Sequence, residues 1–346
     1  MKTLTLVHGL TSCGLAAALA TPQHERPAAA VRGCQVSSDS SSRGAEGSAT
    51  AADAIAAVAA DIPSDMTVDV NFHIASTKAD EALITDAIVE AQFDVLRAAY
   101  APHGIALVLN STSRVVDDLA GQAFLVNEGG DAGWVHHEEE HNAYLRHTRR
   151  GGYDALNLHF FSSYSPGATG YCQFPVASAG AGAVPAPGDD AFDYDACQMS
   201  AGTMPGMPAN RAFEEWNLGH IAVHEAGHWF GLNHTFAGGC AEPGDFVDDT
   251  PAQLTQIFGC PADSDTCPDS PGKDPIHNYM GYTDDSWYGL PLSYSLSLYI
   301  SLSSQRASLL SGTSCTNPSS TFSTNEFTPG QKTRMFETFF SFRRPS

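Results

Sequence analysis

Three histidines and one glutamate stand in a spacing that can hold a metal ion and use it. They are His224, Glu225, His228 and His234, within His224-Glu225-Ala226-Gly227-His228-Trp229-Phe230-Gly231-Leu232-Asn233-His234. Histidines four apart share one face of a helix, so both imidazoles can reach a single ion. Glu225 follows the first of them, placed to take a proton from a water at the metal without being a ligand itself. Three protein ligands leave a fourth position open, as a catalytic rather than a structural zinc requires. A straight helix would carry His234 away from the ion. Gly231 tolerates the positive φ of the sharp turn that brings it back.

Leu218 to Val223 supplies the helical turns before the first ligand. Upstream, Val68, Val70 and Phe72 alternate with polar residues and predict a half-buried strand beginning near Thr67. Ile84, Ile88, Ala91, Val95 and Ala98 predict a helix over 79–100, and Ile105 to Leu109 a second strand after Gly104. A helix over 138–150 and a strand over 155–161, with Leu156, Leu158 and Phe160 on one face, complete this half. Strands alternating with long helices argue for a mixed α/β layer. From residue 236 onward Gly, Pro, Asp and Cys dominate and periodicity is lost, so disulfides are expected to hold that part. Thr328 and Pro329 open a last helix running to about Phe342.

The extended histidine motif resembles the zinc signature of the metzincins, whose second hallmark is a methionine-containing turn beneath the metal. Asn278-Tyr279-Met280-Gly281-Tyr282 follows at a spacing similar to that of the pappalysin branch. Gly238-Gly239-Cys240, Gly244-Asp245, Asp249-Thr250-Pro251, Gly259-Cys260-Pro261 and the run Asp274 to Met280 also resemble secreted fungal members of that family. The resemblance runs from about Val68 to Arg343. It implies an α+β fold, a mixed sheet with packed helices: a zincin-like catalytic domain over 63–346, with an upper α/β part (63–234) and an irregular, disulfide-bonded lower part (235–346). It further implies Met280 as a hydrophobic floor under the histidines. Tyr282 matches a tyrosine that ligates zinc or donates to the oxyanion, or else simply packs. Gly170-Tyr171-Cys172 takes the place of the cleft-edge strand that pairs with substrate. The resemblance pairs Cys172 with Cys197 and Cys240 with Cys267, and gives Cys260 a partner just after the Met-turn. Gly281 departs from the family, where aspartate is usual.

The resemblance and the motif together predict a secreted zinc endopeptidase. Its partners would be protein or peptide substrates, acted on by a monomer. Two other readings remain: a secreted inactive binding protein that keeps the metzincin fold, and a zinc hydrolase acting on something other than peptides. An intact Glu225 speaks against the first, since a binding module needs no base beside its ligands. With 39 acidic and 17 basic residues the chain repels nucleic acid and anionic lipid. Lys2, the apolar run Leu4 to Ala17 and Ala18-Leu19-Ala20 read as a signal peptide over 1–20. No later stretch reads as a membrane span. Residues 21–62, rich in Ala, Ser and Gly, read as a pro-segment or linker. There Cys34 is either a thiolate able to cap the zinc of a latent precursor or an inert thiol.

Asp245, Asp248 and Asp249 either bind calcium or form a charged loop. His136, His137 and His141, with Glu138 to Glu140, read as a solvated helix start. Asn110-Ser111-Thr112 fits an N-glycosylation site, whereas a glycan at Asn233-His234-Thr235 would crowd the metal. The stretch 287–323, rich in Ser and Leu and without an acidic residue, fits no element of the family. Codons for Trp287-Tyr288 contain TG followed by GTA, a splice donor, and an AGC or AGT codon at Ser323 would close an intron. Removing it would create a cysteine codon before Thr324, restoring the partner of Cys260. The other reading is a Ser-rich loop with Cys315 as substitute partner. Sequencing of cDNA across the region decides between them.

Overall fold

The computed structural model describes residues 62–129, 133–164, 169–176, 184–213, 216–259, 261–285 and 326–344. β1 (Met66–Ser76) buries Met66, Val68 and Val70 and exposes Thr67 and Asp69. From Asn71 onward it is buried throughout, as befits a strand covered on both faces. It runs parallel to β2 (Ile105–Val116) on one side and to β5 (Leu156–Phe161) on the other. β7 (Cys197–Ser200) extends the parallel set, and β6 (Gly170–Cys172) ends it antiparallel to β7. The sheet order is therefore β2-β1-β5-β7-β6, a mostly parallel mixed sheet. β3 (Leu125–Gly129) and β4 (Gly133–His136) form a separate hairpin.

Parallel neighbours need crossovers, and α1 (Asp86–Tyr100) supplies the one between β1 and β2. α1 begins later than residue 79. Lys78–Asp80 is a single 3-10 turn whose buried Asp80 pairs with Arg211 at 2.8 Å, and Thr85 caps α1 by accepting from the Ile88 N–H. β2 runs seven residues beyond Leu109, passing a bulge opposite Val70 and Asn71. All six residues of β5 are buried, not one face only. α2 (Glu138–Thr148) stops where Arg149 turns toward Asp195. α3 (His220–Trp229) carries the metal motif. α4 (Pro329–Thr338) opens on a Thr328–Gln331 capping box and passes into a wide π turn over Phe339–Arg343.

Phe72, Leu96, Tyr100, Trp229, Phe230, Met280 and Phe339 belong to one buried cluster uniting β1, α1, α3, α4 and the Met280 turn. Residues 235–285 contain no helix or strand among the described residues apart from an isolated bridge of Asn278 to Glu326. The Cys240–Cys267 disulfide and the Asp274 carboxylate stand in for regular structure there, the latter accepting from Ser264 Oγ and from Thr266 N and Oγ1. Cys172–Cys197 joins directly opposed residues of β6 and β7. The expected signal segment, nearly all of 21–62 and the interruption at 287–323 lie outside the described residues, as do Cys34, Cys260 and Cys315.

Candidate metal centre

All ten residues of α3 are buried, so its histidines are held by packing on every side. The Nδ1–H of His224 donates to the Tyr279 carbonyl at 2.7 Å, and that of His228 to the Leu232 carbonyl at 2.7 Å. A carbonyl only accepts, so both imidazoles carry their proton on Nδ1 and turn an Nε2 lone pair inward. Burial pushes His228 down to about 4, which keeps it neutral and ready to ligate. At Gly231 the backbone takes φ +93°, and the chain doubles back to present His234. A side chain there would also strike Thr338 of α4, so the turn and the close packing both demand glycine.

The three Nε2 atoms converge. His228 Nε2 lies 3.1 Å from that of His224 and 3.1 Å from that of His234. Lone pairs facing one another at this distance repel unless a cation lies among them. Tetrahedral zinc with Zn–N bonds of about 2.0–2.1 Å sets its ligand nitrogens roughly 3.3 Å apart, so the donor set fits zinc. Among the described residues these histidines form the one group of three or more side chains that could hold a metal ion.

Met280 is fully buried beneath α3, and a side chain at Gly227 would run into its sulfur. The turn around it is intact despite Gly281. Asn278 Oδ1 accepts from the Met280 N–H at 2.9 Å, and the Gly281 N–H donates to the Asn278 carbonyl at 3.0 Å. Tyr282 brings its hydroxyl to 3.2 Å from His234 Nε2 and sets its ring edge-on to that imidazole. Phe236 stacks on His234, and Phe174, just past β6, tilts over His228. Glu225 is 1% exposed, and a Cβ on Gly170 of β6 would come within 2.5 Å of its Oε1. The edge strand thus closes directly on the carboxylate.

Several residues that hold α3 gave no sign in the sequence. At its start the Asp285 carboxylate accepts from the Leu218 N–H at 3.0 Å and the His220 N–H at 3.4 Å, serving unsatisfied donors of the helix N-terminus. At its end Arg343 Nε donates to the Trp229 carbonyl and Arg334 Nε to that of Gly231. Arg343 also pairs with buried Asp195, which accepts from Trp229 Nε1 as well. Asn278 and Gln331 exchange two amide hydrogen bonds, at 2.8 and 3.1 Å, locking the Met280 turn to the capping box of α4. The Thr-x-x-Gln pattern of that box was a visible signal; its partner 53 residues upstream was not.

Other clusters stand apart from the centre. Asp249 accepts from Thr328 Oγ1 and the Gly330 N–H at the head of α4, and Asp245 from the Val247 N–H. Asp249 thus caps α4, and Asp245 serves a backbone N–H of its own loop. His136 donates to or accepts from His141 at 2.9 Å, and His141 Nε2 meets Gln198 Oε1 at 2.6 Å. This is a hydrogen-bonded chain behind β7, with His137 turned instead toward Glu128.

Residues 207–290, which include the histidines and the Met280 turn, match the Peptidase M43 family, described as pregnancy-associated plasma protein-A. An extracellular metalloprotease of Pyricularia oryzae is 38% identical over 282 residues, covering 81% of this chain and 77% of that protein. One from Podospora anserina is 35% identical over 282 residues, 81% of this chain and 75% of the relative. In fold the chain is similar to a promirolysin mutant of Tannerella forsythia (TM-score 0.55, 19% identity, 87% of this chain and 89% of that one). Mirolysin in complex with a compound gives a TM-score of 0.52 at 19% identity, over 80% of this chain and 92% of that one. With its histidine triad positioned to bind zinc, the chain belongs to the pappalysin family, M43, of zinc metalloproteases.

Proposed function

We propose that the protein is a secreted endopeptidase that cleaves peptide bonds of extracellular proteins with Glu225 as general base. What carries this reading is three converging imidazole nitrogens with, one residue along, a buried carboxylate on which the edge strand closes at Gly170. His224, His228 and His234 would hold the zinc, which when bound supplies Lewis acidity that acidifies a water and polarises a carbonyl. Glu225 takes the proton of the attacking water and passes it to the leaving amine. The Tyr282 hydroxyl, beside His234, donates to the oxyanion as it develops. β6, the last strand of the sheet, aligns an extended substrate by strand addition. Met280 holds the floor.

Secretion is supported by the signal-like N-terminus and by relatives named as extracellular proteases. No helix among the described residues is long and apolar enough to cross a membrane. Residues 1–20 are then the signal, 21–62 the pro-segment, and 63–346 the catalytic domain divided at His234, with 287–323 an aberrant insertion.

Casein hydrolysis tests the mechanism. It should vanish with a chelator and return with zinc. Glu225→Gln should lower kcat by about 10²–10⁴-fold while the protein keeps its zinc. Undiminished cleavage by that variant would remove Glu225 from the role of base.

A further inference from the structure

β2 is an outer strand of the sheet, twelve residues long, and little in its sequence guards the open side. Natural edge strands are blunted by lysines, prolines or inward charges, because an open ladder templates pairing with another chain. Ile105 to Val116 contains no proline and a single charge, Arg114. That charge is occupied, donating to the Ile84 carbonyl at 2.7 Å and pairing with Asp86 at 2.6 Å. Val108 and Val116 are 47% and 41% exposed on the same strand.

The irregularity in this strand falls on Asn110. Val70 pairs with Leu109 and Asn71 with Ser111, so Asn110 is the extra residue of a bulge in a parallel ladder. The bulge exchanges faces. Before it Leu107 and Leu109 accompany Val68 and Val70; after it Thr112 and Arg114 accompany Phe72 and Ile74. Asn110 and Thr112 are both exposed, and together they are the Asn and Thr of a glycosylation sequon. The Asn110 amide donates once, to Asn71 Oδ1 at 3.2 Å, leaving its second N–H for substitution without loss of that bond. The chain's other permitted sequon is closed: Asn233 donates to the Asp245 carbonyl and precedes His234, buried in the metal centre.

We propose that Asn110 carries an N-linked oligosaccharide that shields the β2 edge from pairing with a second chain. This rests on secretion of the chain. The donor is a lipid-diphosphate-linked oligosaccharide. A bond forms from Asn110 Nδ2 to the anomeric carbon, the bond from that carbon to the diphosphate breaks, and the displaced amide proton leaves with the diphosphate.

The test uses the full chain made in a eukaryotic secretory host, once with its own N-terminus and once behind a leader of proven function. Failure of only the native form to be exported would refute its own signal and leave the site testable in the other. The secreted protein should lose the mass of one oligosaccharide on treatment with an amidase for N-glycans, with aspartate appearing at position 110 in the peptide map. Asn110→Gln and Thr112→Ala should each abolish the shift, and each should self-associate in light scattering at concentrations where the parent is monodisperse. Adding Val108→Lys to Asn110→Gln should restore monodispersity by placing a charge on the edge. A secreted parent with unmodified Asn110 overturns the site. Unglycosylated variants as monodisperse as the parent, or aggregation that Val108→Lys fails to relieve, overturn the shielding role.

Discussion

At the residue scale the proposed chemistry depends on where Glu225 can stand, and Gly170 limits that. Alanine at 170 would place a methyl 2.5 Å from Oε1, and the carboxylate, as the movable end of the side chain, must yield. Gly170→Ala is therefore expected to cut kcat by about 10²-fold or more, since a base displaced by an ångström loses much of its effect. Zinc content, measured by metal analysis, should not change, because the atoms a side chain at 170 would meet first belong to Glu225, which is not among the three histidine ligands. Activity equal to the parent would show that the base has room the geometry denies. Tyr282→Phe separates a chemical from a packing role in the same way. Loss of an oxyanion donor should lower kcat by roughly 10²-fold with KM little altered, whereas a packing tyrosine would leave kcat in place. The histidine triad, and the glutamate proposed as base beside it, were legible because zinc chemistry dictates residue type and spacing along one helix. Gly170's hold on Glu225 was not, since it arises only when β6 meets α3.

At the element scale α3 is a strut fixed at both ends by segments distant in sequence. Asp285 serves its first N–H groups, Arg343 and Arg334 its last carbonyls, and the Tyr279 carbonyl the orientation of His224. That carbonyl belongs to a turn tied by Asn278 to Gln331, both essentially buried. Gln331→Ala would strand the Asn278 Nδ2 donor in the interior, at a cost of about 1–3 kcal/mol, while Asn278 Oδ1 keeps only the Met280 N–H. The turn would loosen, and with it the hold on His224. We expect a lower melting temperature and weaker zinc retention against a competing chelator; Asn278→Ala should do the same. The double variant should lose less than the sum of the two, because each single change already breaks the pair. Additive losses would mean that the two amides act separately. The sequence showed α3, α4 and the Met280 turn as elements, and family resemblance supplied both disulfides found between described cysteines. It misplaced the start of α1 and the end of β2. An ion pair from Arg211 to Asp80 and a bulge at Asn110 are tertiary features that local periodicity does not carry.

At the scale of the whole molecule, acid is the condition that should undo the fold, through histidines remote from the metal. His73 is wholly buried, donating from Nε2 to Asn157 Oδ1 and stacking on buried His159 at 4.4 Å between centroids. Burial, aided by the charges of Arg150 and Arg149, pushes His73 down to about 4 against the opposing bond to Asn157. Burial and the neighbouring His136 bring His141 to about 4, again against a bond to Gln198, and burial lowers His159 well below its ordinary value. Each ring is neutral when folded and free to take a proton when unfolded. Between about pH 6.5 and pH 4 the unfolded chain thus binds protons that the folded chain refuses. Stability is intact above the ordinary histidine value and falls as pH drops through this window, by on the order of 3 kcal/mol each for His73 and His141. Asp245 works the other way. Burial raises its carboxyl to about 6, so its protonation recovers part of the loss as pH falls. Two histidines against one carboxyl leave a net loss of roughly 3–4 kcal/mol, a large share of the 5–15 kcal/mol that separates most domains from unfolding. Melting of the Glu225→Gln protein, which cannot digest itself on the proposed mechanism, should therefore be level from pH 7.5 to 6.5 and drop steeply towards pH 4.5. A chelator in every sample removes the contribution of zinc release, leaving His228, also held down to about 4 by burial, to add to the acid loss in the same direction. His141→Gln, which can still donate to Gln198, should flatten the curve by on the order of 3 kcal/mol between pH 6.5 and 4. A melting temperature that held or rose between pH 6.5 and 4.5 would show that this histidine stack does not govern the acid limit.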